Sequence, residues 1–140
     1  MNLKDDADGL TGRWRSFYRY PSEGRGGEDF WGQHTLVATQ AGDTLHLESE
    51  GSPSHVVMDL SLGSGDMVRG TWREETDPAG YYHGEVYEGT IELEVAEDGQ
   101  RMNGTWHGAG RDGKINSDIW ELTREGAEQQ KVVEGKAGGK

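Results

Sequence analysis

Several polar side chains of this chain stand where period-two alternation turns them inward: Tyr18, Tyr20, His34, Glu74, Tyr87, Asn116 and Asp118. A core built for stability alone seldom buries so many, because each costs free energy unless it finds a partner. As a set they point to a pocket for a polar ligand. Tyrosine and tryptophan offer flat faces to a ring, and Asn116 with Glu74 can read donor and acceptor edges. Trp106, near the long-loop end of its run, is the tryptophan best placed to stack on a ligand. The plainer reading is that some of these groups pair internally or sit at a wet rim.

Cations are sparser. Arg25 lies in Gly24-Arg25-Gly26-Gly27, Arg111 in Gly108-Ala109-Gly110-Arg111-Asp112-Gly113, and Lys114 follows. Glycine-flanked arginines can offer backbone N–H groups and guanidinium to an anion. Neither stretch has the strand-to-helix setting of a phosphate loop, and the bland alternative is two hairpin loops with solvated charges. Arg111 is the candidate phosphate contact.

Catalysis and metal have weaker support. His34 with Glu74 or Asp118 would make an acid–base pair, since histidine titrates near neutral pH, but spacing does not show that they meet. No residue is assigned as catalytic. His34, His46, His55, His83 and His107 fall singly on different runs, and there is no cysteine, so no zinc site is expected. A lone axial histidine can hold haem in a barrel, as in nitrobindin-like proteins. No Gly-x-Ser-x-Gly supports serine catalysis, and no cofactor is expected.

The elements that must position these residues are strands. Period-two runs cover Leu10 to Tyr20, Phe30 to Gln40, Thr44 to Glu50, His55 to Leu62, Asp66 to Thr76, Tyr82 to Val95, Gln100 to Gly108 and Lys114 to Arg124. No helical period competes. Tight turns at Ala41-Gly42-Asp43, Gly63-Ser64-Gly65 and Glu97-Asp98-Gly99 alternate with longer loops at Pro21 to Asp29, Gly51 to Ser54, Asp77 to Tyr81 and Ala109 to Gly113. In an up-and-down meander the tight turns then share one end, the floor, and the long loops share the mouth. This predicts an all-β fold, an eight-stranded antiparallel calycin-like or lipocalin-like barrel with room for side chains or one small ligand. The cavity should open beside Arg25, Pro78, Tyr81 and Arg111. Gly12-Arg13-Trp14, Gly70-Thr71-Trp72 and Gly104-Thr105-Trp106, with Gly89-Thr90-Ile91 as a weaker copy, read as glycine bends whose space an inward ring fills.

A length of 140 residues suits one domain, and all twelve aromatics fall between Trp14 and Trp120. Residues 10–124 are read as the barrel, with 1–9 and 125–140 as poorly ordered flanks. The formal net charge of −12 argues against polymeric nucleic acid and anionic lipid as partners. There is no apolar run near ~20 residues, and the polar, acidic start is unlike a signal peptide, so the expected location is cytoplasmic, away from any membrane. Oligomeric state is left open.

Two resemblances add to this. Asp77 through Ile91, Met102-Asn103-Gly104-Thr105-Trp106, and Asn116 through Thr123 resemble a barrel-like domain of actinobacterial proteins that often follows a helix-turn-helix domain. That likeness covers most of residues 10–124, and no helix-turn-helix segment stands in this chain. Gly104 through Gly113 is similar to the end of the cyclic-nucleotide receptor barrel in membrane-disrupting effectors of bacterial cyclic-oligonucleotide antiphage systems. Those effectors carry transmembrane helices absent here, so the likeness implies at most the sensor, with a place in antiviral defence. The function expected is a small-ligand-binding module for an anionic nucleotide-like molecule, through Tyr18, Tyr20, His34, Glu74, Tyr87, Trp106, Arg111 and Asn116. The alternatives are a carrier of an apolar or haem-like ligand, and a small isomerase or cyclase using His34 with an inward carboxylate.

Overall fold

A computed structural model describes residues 9–22, 28–51, 53–63, 65–80, 83–110 and 113–126. Eight strands appear: β1 (Gly12–Ser22), β2 (Glu28–Ala41), β3 (Thr44–Glu50), β4 (His55–Leu62), β5 (Met67–Glu75), β6 (Val86–Val95), β7 (Arg101–Ala109) and β8 (Ile115–Arg124). Each pairs antiparallel with its neighbour in sequence, and β8 returns to β1 to close an eight-stranded barrel. Among the described residues no helix is long and apolar enough to cross a membrane.

The alternation expected from the sequence is the alternation of burial. β4 buries Val56, Met58, Leu60 and Leu62, and β6 buries Ile91, Leu93 and Val95. Trp14, Trp72, Trp106 and Trp120 all lie inside, none more than 6% exposed. Trp72 meets Trp106 edge-on with centroids 5.5 Å apart, and meets Trp120 at 5.7 Å. These rings fill the middle of the bore, where an apolar ligand would otherwise lie. The glycines of the repeated step make this possible. A Cβ on Gly70 would come within 1.9 Å of the Asp59 carbonyl oxygen, and one on Gly104 within 1.8 Å of that of Glu92. The strands coil too tightly there for a side chain.

The floor is closed from both chain ends. Leu10 is fully buried, donates its N–H to Gln40 Oε1 at 3.0 Å, and accepts the Trp14 indole N–H at 2.9 Å. Arg124 lies over the Trp14 ring at 4.6 Å and donates to the carbonyls of Gly9, Thr11 and Gly99. Gly9, expected to belong to a loose flank, is therefore tied down. Residues 1–8 and 127–140, the rest of the expected loose flanks save Glu125 and Gly126, lie outside the described residues.

Most strand ends shift by one or two residues from the sequence reading, and β1 runs to Ser22 and β2 starts at Glu28, so the loop expected over Pro21 to Asp29 is partly strand. Two further differences bear on the site. β1 and β2 pair over eleven positions, from Gly12↔Ala38 to Ser22↔Glu28, whereas β1 pairs with β8 only from Trp14 to Tyr18. Above Tyr18 the first hairpin leaves the last strand. The other difference is β6, which starts at Val86; its expected start, Tyr82, lies outside the described residues. An Asp77-centred turn, with Ala79 N–H on Asp77 Oδ1 and Gly80 N–H on Asp77 O, follows β5. His83 and Gly84 then adopt positive φ, 53° and 78°, before Thr76 N–H bonds Glu85 O and the ladder resumes.

Candidate functional site

A pocket of about 290 Å³ opens at the long-loop end. Tyr18 and Tyr20 of β1, Gly32 to His34 of β2, Ser54, Glu74 of β5, and Thr76, Asp77 and Gly80 beyond it form the wall. The opening lies away from the tight turns at Gly42, Gly65 and Gly99, as the alternation of loop lengths implied. Of the residues expected at the rim, Arg25, Tyr81 and Arg111 lie outside the described residues.

The wall is built from the backbone outward. Tyr18 pairs with Gly32 across β1 and β2, and its ring lies over the Gly32 backbone, where a Cβ would sit 2.1 Å from the ring. Gly32 thus lets the phenol lean across the bore. There its hydroxyl donates to Glu74 Oε1 at 2.6 Å, joining β1 to β5, strands on opposite sides of the barrel. The same ring stacks on His34 at 5.9 Å and packs on Trp120 at 4.5 Å. Tyr20 adds a second face, 5.7 Å from Tyr18.

His34 is the other fixed point. Its side chain is 3% exposed, its Nε2 lies 2.6 Å from Ser54 Oγ, and its Nδ1 is buried with no hydrogen-bond partner among the described residues. Burial lowers its pKa from 6.5 to about 4, so it is neutral at pH 7. Its 3.9 Å approach to Glu74 Oε2 is then a contact with a neutral ring, not an ion pair. Burial also raises the pKa of Glu74, and the Tyr18 hydroxyl partly opposes that rise. The site holds a desolvated carboxyl group with one oxygen bonded and no cation beside it among the described residues.

Tyr18, Tyr20, His34 and Glu74 are therefore brought together. Four other expected contacts are not part of this wall among the described residues. Tyr87 stands opposite Glu74 across β5 and β6 and packs against the core. Trp106 donates its indole N–H to Arg19 O at 2.9 Å, stitching the gap where β1 parts from β8. Asn116 lies opposite Gly108 and donates to Lys114 O. Asp118 takes Arg19 Nε at 2.9 Å beside the same gap. Sequence reasoning missed Gln33, Ser54, Thr76 and Asp77 as wall residues. Of these, Ser54 and Asp77 carried a signal, since both stand in loops assigned to the mouth.

A larger groove of about 480 Å³ runs over the outer face of β7 and β8, between Arg101, Asn103, Ile119, Glu121 and Thr123. It has no aromatic ring and no buried ionisable group, so it lacks what would orient a ligand. No group of three or more metal-ligating side chains converges among the described residues. No protein-family model matches this chain, and no curated protein matches it. A closed β-barrel with an aromatic cluster fits a ligand-binding barrel module.

Proposed function

We propose that this barrel binds a small, hydrogen-bonding molecule in its mouth pocket. The observation that carries the reading is the Tyr18–Glu74 bond across the bore, with His34 buried beside it. Buried polar groups at a barrel mouth cost stability, and a ligand that uses them supplies a return that packing does not. A volume of about 290 Å³ lies just below the range of small-molecule sites, roughly 300–1,000 Å³, and suits a ligand of few atoms. The anionic-nucleotide form of this reading draws on the resemblances and on Arg111, while the described wall offers Glu74 and Asp77 instead of cations. The apolar-carrier form has to contend with Trp72, Trp106 and Trp120 filling the bore.

Proton transfer is a second reading, because His34 and Glu74 do approach each other. It requires a bound substrate that turns over, and loss of turnover without loss of binding in His34→Ala. Calorimetry of the full chain with cyclic dinucleotides, fatty acids, haem, and small neutral and charged amines and alcohols tests the proposal. Binding of a small polar compound that Tyr18→Leu weakens supports it. Binding confined to fatty acids or haem, or to nothing in the panel, overturns it.

A further inference from the structure

Resting on that reading, we infer that the mouth pocket selects a small organic cation, its ammonium group set against Glu74 with the Tyr20 ring beside it. Charge is the first argument. Glu74 Oε1 takes the Tyr18 hydroxyl, but Oε2 receives no hydrogen bond among the described residues; His34 Nε2 is 3.9 Å away and turned to Ser54. Asp77 lines the same pocket, and no lysine or arginine does among the described residues. A buried carboxyl group ionises at a cost when it has no counter-ion, and an incoming cation is the group that offsets that cost.

Shape is the second argument. The Tyr18 hydroxyl reaches Glu74, Tyr20 lines the same pocket 5.7 Å from the Tyr18 ring, and an ammonium gains from the negative face of an aromatic ring, more so where water is excluded. A bare metal ion would need several converging oxygen or nitrogen ligands, which the described residues do not bring together. The third argument is long-range. The net charge of −12 draws cations toward the molecule and repels anions.

The test is calorimetric titration of the full chain with choline, ethylammonium and guanidinium, against 3,3-dimethylbutan-1-ol, the uncharged analogue of choline. At least one cation should bind about tenfold or more tightly than the alcohol, a difference expected from cation–π and charged hydrogen-bond contributions. Glu74→Gln should remove that preference. Asp77→Asn, whose side-chain oxygen can still cap the turn, should weaken the cation by a smaller factor, which keeps the test open if Glu74→Gln does not fold. Equal binding of alcohol and cations in the wild-type chain overturns the inference but leaves a small-ligand pocket standing. Binding of none of these probes overturns the inference, and with no other small polar ligand found the pocket reading fails as well.

Discussion

At the scale of single residues, His34 couples the pocket to pH. Unfolded, its imidazole takes a proton near pH 6.5; folded, burial holds the pKa at about 4. Between these values the unfolded chain binds the extra proton, so stability is full above pH 6.5 and falls as the pH drops toward 4. The gap is equivalent to about 3 kcal/mol, little screened because the side chain is almost wholly buried. Glu74 acts in the opposite sense. Its raised pKa means that its contribution is present at low pH and is lost as the pH rises through the raised value. Tyr18, Tyr20 and Asp77 share the pocket with this pair, and no described cation offsets either trend. Urea unfolding at pH 7 and pH 4.5 should show His34→Gln losing about 2 kcal/mol less than wild type over that interval. Equal losses would mean that His34 is solvated.

Part of this was legible beforehand. Alternation alone turned Tyr18, His34 and Glu74 inward, because a closed barrel has only an inside and an outside. That they touch was not legible. β1 and β5 are opposite strands, and no pairing rule relates residues across a bore. Their contact depends on Gly32 lending Tyr18 the space to lean. Trp106 failed to reach the pocket for a related reason: the Arg19 carbonyl, left open where β1 parts from β8, takes its indole.

At the scale of elements, tight coiling is set by glycines whose neighbours are backbone. Gly70→Ala would press a methyl group on the Asp59 carbonyl, which cannot rotate away, and should cost about 3 kcal/mol, the upper part of the overpacking range. Gly32→Ala meets a side chain instead. Its methyl group would displace the Tyr18 ring, so it should cost about 1–2 kcal/mol and also break the Tyr18–Glu74 bond. Thermal unfolding ranks the two. An equal cost for both, or unchanged Tyr18 ring resonances in Gly32→Ala, would contradict this assignment. At the floor, Trp14→Ala should cost about 3–5 kcal/mol, since it empties a fully buried site and removes the ring beneath Arg124. The eight runs and their order were readable from period and turn length. The start of β6 at Val86 was not, because the sequence does not announce the positive φ of His83 and Gly84 or the bond of Thr76 N–H to Glu85 O that precede it.

At the scale of the whole molecule, a charge of −12 on a 15.4 kDa chain should make the folded state repel itself. Raising sodium chloride from about 20 to about 300 mM shortens the Debye length to under ~10 Å and should raise the unfolding midpoint. A fall would mean that ion pairs such as Arg69–Glu92 outweigh repulsion. The same field bears on what reaches the mouth, but the central claim is where a ligand sits. Amide chemical-shift mapping of the labelled full chain with choline, and separately with 3,3-dimethylbutan-1-ol, tests that most directly and without regard to ligand charge. Shifts concentrated on Gly32, Gln33, His34, Ser54, Glu74, Thr76, Asp77 and Gly80 are the predicted result. Shifts centred instead on Arg101, Asn103, Glu121 and Thr123, with the mouth residues unmoved, would contradict it.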